Sequence, residues 1–291
     1  MEKVLQSISS MRHVLLALLV VGMATRCPFL VAQDTVLVAS TASADNPPGT
    51  SLGDRPLSLA PAAIPATPLA APPVLPSMSS ELALRAYWQR VQEQDRNLAS
   101  YSATTVIRAE LPATSQYGEY ALHRDYSAPR TLGFRVIRSV GDTFVRSKVI
   151  ARLLQSEVDH VKKDDPALTS ITPANYKFSH KSTTIVDGRP MHIFQVNPRT
   201  KRLGLFKGRI YLDARTGSLV RSEGSVAKSP SLFIKSIHFV QDYVDIAGFT
   251  FPSHLHSEAK TRVVGSAVVD IYDQDYQPVS FSGAAIEVPA L

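Results

Sequence analysis

The stretch FKGRIYLDARTGSLVR, residues 206–221, decides the fold class of this chain. Apolar and polar residues alternate through residues 208–212 and again through residues 218–225, which is the period of a half-buried β-strand. Between these runs, Asp213 and Gly217 bound a short segment of turn-forming residues. Because a short turn joins antiparallel neighbours, the sequence predicts a β-hairpin here.

The same pattern extends from this hairpin in both directions. Asp187-Gly188 is a two-residue turn signal between two alternating runs, and Gly265-Ser266 is another. The interval 153–175 is the least strand-like part, and we expect a short helix or a flap there. In chain order the predicted strands span residues 101–110, 119–125, 130–139, 142–150, 183–186, 191–196, 208–212, 218–225, 260–264 and 267–272.

A helix is predicted before the strands. Ser79 or Ser80 can cap it, Glu81 favours its first turn, and it continues to about Leu98. Leu84, Tyr87, Trp88, Val91 and Leu98 recur near helical spacing on one stripe, which must pack on a sheet. A sheet of about ten strands is too large to remain flat. We therefore expect a mainly β (α+β) fold, in which a single curved antiparallel sheet forms a half-open β-barrel packed on a long N-terminal helix.

The residues before this helix differ in composition from the rest. Residues 1–32 have a basic start and an apolar run of signal-peptide length, which predicts a secretory signal sequence. Residues 33–78 are rich in Pro and Ala and predict a disordered linker. The folded domain is then residues 79–291. Cleavage after Ala24, Ala32 or Ala44 and an uncleaved membrane anchor all remain open, and so does lipidation of Cys27, the only cysteine.

The net charge of +6 is concentrated in one region. Residues 199–235 contain nine Lys and Arg against two carboxylates, while the remainder is near neutral. Such a region indicates either a solvated strand face or a patch that meets something anionic. With the rest of the chain near neutral, we do not expect a nucleic-acid partner.

Motifs of enzymes are absent from the sequence, which contains no Gly-x-Ser-x-Gly elbow, no His-Glu-x-x-His and no phosphate-binding Gly-Lys-Ser/Thr loop. Ser225 and Lys228 match a serine-lysine spacing of penicillin-recognising enzymes, but Ser225 ends a strand and no Ser-Asp-Asn accompanies it. His254 and His256 share one face of a strand, and Asp270, Asp273 and Asp275 offer carboxylates downstream. Their convergence on one point would indicate an enzyme or a metal site. We expect neither an enzyme, a metal nor a cofactor.

The order of elements from residue 187 to residue 276 resembles that of the periplasmic lipoprotein-carrier and outer-membrane lipoprotein-sorting superfamily (LolA/LolB-like). The resemblance rests on the helix that ends near Leu98, the hairpin of residues 206–221 and a later pair of long strands. It implies an unclosed β-barrel capped by helices, whose apolar cavity shields acyl chains in the periplasm, and it brings no catalytic residue. The Pro/Ala-rich segment and the basic region depart from that family.

The predicted function is therefore a non-enzymatic carrier of lipid or lipoprotein acyl chains in the periplasm or cell envelope. The alternative is a tethered sensor or interaction module that recognises an envelope protein through an exposed sheet edge. Cargo, partner and oligomeric state stay open. Cations expected to meet anionic head groups are Arg199, Lys201, Arg202 and Lys207. The predicted cavity-lining residues are Phe134, Val136, Ile210, Leu212, Leu219, Phe233, Ile237, Phe239, Phe249 and Phe251.

Overall fold

Ten antiparallel strands form one sheet in the computed structural model, which describes residues 77–163, 166–230, 232–262 and 265–281. Two helices accompany the sheet: α1 (Ser80–Asn97) precedes it, and α2 (Ala151–Lys163) follows β3 after a π-helical turn, Val145–Ile150. The strands are β1 (Leu98–Leu111), β2 (Gln116–Ser127), β3 (Thr131–Gly141), β4 (Tyr176–Val186), β5 (Arg189–Pro198), β6 (Phe206–Asp213), β7 (Leu219–Val226), β8 (Ile234–Ile246), β9 (Phe249–Thr261) and β10 (Ser266–Ser280).

The strand order is β3-β2-β1-β10-β9-β8-β7-β6-β5-β4. Every neighbouring pair except β1 and β10 is consecutive in the chain, so hairpins build two blocks that one seam joins. In that seam Thr105 lies opposite Asp273 and Ile107 opposite Ile271. Since β3 and β4 lie at opposite ends of the order, the described sheet is not closed. The predicted mainly β fold with one unclosed antiparallel sheet is confirmed.

Alternation along the strands separates two faces of the sheet. The inner face carries buried side chains such as Ile107, Leu122 and Ile210, and the outer face carries charged ones such as Arg209 and Asp242. Ten strands at about 4.8 Å span roughly 45 Å, whereas a helix is only about 10 Å wide. Two helices cannot cover such a width if it is flat. The sheet must therefore curl, so that side chains from different strands of its inner face bury one another.

Helix α1 spans Ser80–Asn97, and its first turn is capped by Ser79, whose Oγ accepts from the Leu82 N–H at 3.4 Å. Tyr87 is buried in the core, and Trp88 packs edge-on against Phe178 of β4 at 5.4 Å between ring centroids. Near the other end of the helix, Gln94 bonds both the N–H and the carbonyl of a β9 residue. The apolar stripe predicted from spacing is thus the side of α1 that packs on the sheet.

Two of the predicted turns are confirmed, at Asp187-Gly188 and at residues 213–217. The third, predicted at Gly265-Ser266, lies earlier in the chain, because β9 ends at Thr261, whose N–H donates to the Gly265 carbonyl at 2.7 Å, and Ser266 already belongs to β10. Val186 pairs directly with Arg189 across a two-residue turn, and Gly217 N–H donates to the Asp213 carbonyl at 2.9 Å. A fourth turn, Ala247-Gly248, was not predicted. Both of its residues have positive φ, 53° and 83°, as a tight two-residue hairpin requires.

The predicted strand at residues 142–150 is wrong, because the chain is helical from Val145 to Ile150 and continues into α2. The buried residues of this region, including Val145, Val149, Leu153 and Leu154, recur at helical and not at alternate spacing. Residues 142–150 alone fit both the alternation of a strand and the period of a helix. Only the longer run that reaches Leu154 shows that the period is helical. The expected short helix in the interval 153–175 is present as α2.

The signal sequence predicted at residues 1–32 and the linker at residues 33–78 lie outside the described residues, except for Ser77 and Met78. Met78 N–H donates to the Ala214 carbonyl at 2.6 Å, which fixes where the chain enters the domain. Neither helix in the described part of the chain combines the length and hydropathy of a membrane span. The proposed domain start at residue 79 stays a prediction.

Gly217 offers a test of the contact between α1 and the β6–β7 turn. Its φ is +70°, and an added Cβ would lie 2.6 Å from the Cβ of Ala86 and 2.9 Å from the Ala83 carbonyl oxygen. Gly188 has a similar φ of +74° with nothing within 4 Å. We expect Gly188→Ala to cost about 1 kcal/mol of unfolding free energy from backbone strain alone. Gly217→Ala should cost at least about 2 kcal/mol more, because the overpacked helix must shift.

Urea denaturation of both variants measures this difference. Equal losses for the two glycines would show that α1 does not pack closely on this turn.

Candidate functional site

Eight of the ten predicted lining residues lie on the inner face. Five belong to the main core, Phe249 and Phe251 belong to a second core, and Phe134 is partly buried against both. The five in the main core are Ile210, Leu212, Leu219, Ile237 and Phe239. Val136 and Phe233 differ, because they are 51% and 40% exposed. The first lies on edge strand β3 and the second in the turn before β8.

The inner face is covered in part by residues 145–163, the π-helical turn together with α2, which we name the cover segment. It packs on β1, β2 and β3. Its apolar side chains enter the main core beside Ile107 and Leu122, except Val161, which belongs to the second core. The buried apolar residues of the cover segment are Val145, Val149, Ile150, Leu153, Leu154 and Val161.

One ion pair joins the cover segment to the sheet in the interior. Arg124 of β2 donates from Nη2 to Glu157 Oε2 at 2.8 Å, and its Nη1 lies 2.7 Å from Glu157 Oε1. Both side chains are only 2% exposed. Burial acts against a charged guanidinium, but the fields of Glu157, Tyr101 and Asp273 outweigh it and raise the pKa of Arg124 well above its usual value. The pair is therefore charged and shielded from water.

Further polar and aromatic groups complete this site. The guanidinium carbon of Arg124 lies 5.0 Å from the ring centroid of Phe134, a cation–π arrangement. Across the β1–β10 seam, Thr105 Oγ1 donates to Asp273 Oδ1 at 2.6 Å in a buried setting. Tyr101 stacks on Tyr126 at 5.3 Å, and burial raises the pKa of the Tyr101 phenol. The site thus holds one buried cation among aromatic rings and two carboxylates.

Sequence reasoning did not find Arg124 or Glu157, and it considered Asp273 only as a carboxylate downstream of the two histidines, whereas the structure buries it. Arg124 follows Leu122 and precedes Tyr126 at alternate positions, so its side chain must point to the inner face. Glu157 falls on the apolar stripe of α2, three and four residues after Leu154 and Leu153. The available signal was a charged residue on the buried side of β2 and another on the buried side of α2. Because buried charges are paired, these two residues could have been expected to meet.

The four predicted head-group cations do not reach this interior site. Arg199, Lys201 and Arg202 lie exposed between β5 and β6, where Arg199 Nε donates to the Pro173 carbonyl at 2.8 Å. Lys207 is exposed on β6. Within the wider basic region, Arg209 pairs with Glu223 and Arg221 with Asp242, each at 2.6 Å. The outer face therefore neutralises part of this charge through cross-strand ion pairs.

His254 and His256 do converge on one carboxylate. Asp270 Oδ1 lies 2.8 Å from His256 Nδ1 and 3.3 Å from His254 Nε2, and His254 stacks on Tyr272 at 4.4 Å. Burial lowers the pKa of His256, but the carboxylates of Asp270 and Glu258 raise it overall. Among the described residues, no three His, Cys, Asp or Glu side chains are arranged to hold a metal ion. The two histidines and Asp270 therefore meet the geometric condition stated above for an enzyme, and they do so within the row of cross-strand ion pairs on the outer face.

A cavity of about 440 Å³ opens near the β4–β5 turn, and none of the ten predicted residues lines it. Apolar and charged groups alternate around it, and Arg221 at its wall is already paired with Asp242. The lining residues are Val186, Asp187, Arg189, Met191, Tyr211, Val220, Arg221, Asp242 and Tyr243. None of these lining residues belongs to the cover segment, and Tyr243 also belongs to the main core.

At this site, the first prediction concerns the buried pair. Glu157→Gln leaves a buried guanidinium without its counter-charge, so we expect a loss of about 3–5 kcal/mol in unfolding free energy. The double variant Arg124→Met with Glu157→Leu replaces both charges by apolar groups and should stay within about 1–2 kcal/mol of the native protein.

Urea denaturation provides the measurement. Asp159→Asn is the matched control on the same helix, because Asp159 is 45% exposed and its contact with Lys163 is 3.6 Å long. Such an exposed pair contributes less than about 1 kcal/mol. A Glu157→Gln loss no larger than that of Asp159→Asn would contradict the role given to the buried pair.

The second prediction concerns Asp95 near the end of α1. Burial raises its pKa from the usual 3.8 to about 8, and the neighbouring Arg96 only partly opposes the rise. The folded protein therefore keeps a proton that the unfolded chain releases above about pH 4. It follows that this group stabilises the fold less as the pH rises from about 4 to about 8.

Replacement of Asp95 by Asn removes the titration. We expect Asp95→Asn to be more stable than the native protein at pH 8.5, with the advantage shrinking at pH 5, in urea denaturation at the two pH values. An advantage that is independent of pH would exclude a raised Asp95 pKa.

No protein-family model matches the sequence, and no curated protein matches it. Among solved structures, the chain is similar to a LolA-superfamily protein from Nitrosomonas europaea, with 8% identity, 69% of this chain and 93% of that chain covered, and a TM-score of 0.32. It is also similar to a putative outer-membrane lipoprotein-sorting protein domain from Vibrio parahaemolyticus, with 11% identity, 69% of this chain and 93% of that chain covered, and a TM-score of 0.35. The MucA/MucB complex of Pseudomonas aeruginosa matches with 13% identity, 68% of this chain and 99% of that chain covered, and a TM-score of 0.24. At such identities and TM-scores these likenesses carry no argument of their own.

Proposed function

We propose that this protein is a non-enzymatic carrier that holds an acyl chain of a lipid or lipoprotein between its inner sheet face and the cover segment. The observation that carries the proposal is the apolar inner face, of which one part lies under the cover segment, where one buried ion pair anchors that segment. An apolar cavity with few polar groups is the usual form of a site for such a ligand. The signal sequence predicted at residues 1–32 supports a place in the periplasm or cell envelope.

The free energy lost when the cover segment is displaced is comparable with the free energy gained when an acyl chain takes its place. Displacing the cover segment exposes its six buried apolar residues, Val145, Val149, Ile150, Leu153, Leu154 and Val161. At about 1.5–3 kcal/mol for each side chain, the loss is about 9–18 kcal/mol. An acyl chain gains about 0.8 kcal/mol for each methylene group that it buries, so about a dozen to about twenty methylene groups offset the loss. Long-chain lipids, and not short-chain ones, meet this requirement.

Arg124 adds a preference for an anionic lipid. When the cover segment moves away, Glu157 leaves with it and the guanidinium needs another anion, because a buried charge without a partner is costly. A lipid phosphate offers a planar guanidinium two oxygen acceptors, as a carboxylate does. The head-group partner proposed from the structure is therefore Arg124, and Arg199, Lys201, Arg202 and Lys207 remain candidates for first contact at the surface.

The test is lipid uptake measured by native mass spectrometry. The purified protein is incubated with vesicles of phosphatidylethanolamine and phosphatidylglycerol, and separately with 1-hexadecanol, which has an apolar chain and no charge. We expect one phospholipid per chain on the native protein. The Arg124→Met/Glu157→Leu variant should bind at least tenfold less phospholipid but retain hexadecanol, because only the anion site is lost.

Asp159→Asn serves as the control and should bind both ligands as the native protein does. If the native protein takes up neither phospholipid nor hexadecanol, the carrier proposal is wrong. Equal phospholipid uptake by the double variant would remove Arg124 from the site while leaving the apolar chain site in place.

A further inference from the structure

The two edges of the sheet differ in a way that the acyl-chain proposal does not explain. An edge strand presents unpaired backbone N–H and C=O groups, to which another extended chain can add. Natural proteins block such edges with lysines, prolines or bulges. In this protein β3 and β4 are the two edges, and each contains a bulge.

The β4 edge is blocked in the usual way. Its register shifts between His180 and Ser182, so that Lys181 has no partner on β5. Lys177 and Lys181 are both exposed on this strand. An incoming strand would have to bury the ammonium group of a bulged lysine, which opposes pairing.

The β3 edge also has a bulge, but its bulged residue is apolar and not charged. Ala121 pairs with Arg138 and Leu122 with Val136, so the residue without a partner is Ile137. Ile137 is 65% exposed, and its neighbours Val136 and Val140 are 51% and 38% exposed. An apolar residue thus stands where the other edge places a lysine. Exposed apolar residues clustered on a strand edge are typical of an interaction surface.

The cover segment contacts this half of β3 at one side chain, where Arg146 Nη1 donates to Ser139 Oγ at 2.7 Å. Its end lies near the beginning of the strand, where Leu132 is buried and Arg130 Nη1 donates to the Lys162 carbonyl at 3.4 Å. Residues 135–140 are all exposed. Six residues extend about 20 Å along a strand, which is sufficient for a short extended segment to add.

Charge restricts the kind of segment that fits. Strand β3 contains Arg135 and Arg138 and no Asp or Glu. The nearby carboxylate of Glu119 is already shared by Arg108 at 2.9 Å and Arg138 at 2.5 Å. The edge therefore combines an apolar row with guanidinium groups, and opposite charges across neighbouring strands stabilise a pair.

We propose that the exposed half of β3 binds an extended segment of a partner protein, in which apolar residues alternate with Asp or Glu, by adding it as an eleventh strand. Backbone hydrogen bonds supply the pairing, Val136 and Ile137 contact the apolar side chains, and Arg135 meets the carboxylates beside Arg138, which is already bound to Glu119. This surface is separate from the acyl-chain site. It gives Val136 a role at the edge in place of the lining role predicted from the sequence.

The test uses a labelled octapeptide in which Val alternates with Glu, and a second one in which Lys replaces Glu. Fluorescence anisotropy with the whole protein measures both affinities. We expect the acidic peptide to bind at least tenfold more tightly than the basic one. Ile137→Lys should weaken the acidic peptide at least tenfold, because it recreates on β3 the block that Lys181 provides on β4.

Ile185→Lys is the matched control, since Ile185 is an exposed isoleucine on the other edge strand, at 73%. It should change the affinity less than twofold. Failure of the acidic peptide to bind, or equal losses for the two lysine variants, would overturn the proposal. Concentration-dependent self-association that Ile137→Lys abolishes would assign the edge to a second copy of the chain and likewise overturn it. None of these outcomes affects lipid uptake, so the two proposals fail independently.

Discussion

The pairing of β1 with β10 is the constraint on which the rest of this structure depends. All other neighbours in the sheet are consecutive strands, which short turns bring together. Without this seam the strands separate into a three-stranded block and a seven-stranded block, each with half of an apolar face exposed. Residues more than 160 positions apart meet there, as in the buried bond from Thr105 to Asp273. The loop-closure entropy of such a contact must be offset by the apolar surface that the joined blocks bury.

The interior and the outer face treat charge in opposite ways. On the outer face, pairs such as Arg209 with Glu223 cross between strands in contact with water, where each adds little. In the interior, Arg124 and Glu157 form one pair that water does not reach. Such a pair stabilises the fold little relative to apolar groups of the same shape, but removing only one of its two charges destabilises the fold strongly. It therefore fixes the position of the cover segment more than it strengthens the fold.

The sequence predicted much of the sheet, because alternation and turn residues act locally, but β8 and most of β9 were not among the predicted strands. The turn at Asp187-Gly188 needs only its own two residues and their neighbours. The prediction failed at residues 142–150, where a short window fits two periods, and tertiary packing on β2 selects the helix. Arg124 and Glu157 were missed for a different reason. Each is unremarkable alone, and their meaning depends on a pairing across 33 positions that no local pattern contains.

The seam also determines when the sheet can be completed. Synthesis from the N-terminus delivers β1, β2 and β3 first, while more than 120 residues separate the end of β3 from the start of β10. During that interval β1 has no partner on one side, and its unpaired edge is available to any strand that emerges earlier. Because of this strand order, the sheet is complete only when β10 pairs with the open edge of β1. A chaperone that shields β1 until β10 is made would act at the most vulnerable point of this chain.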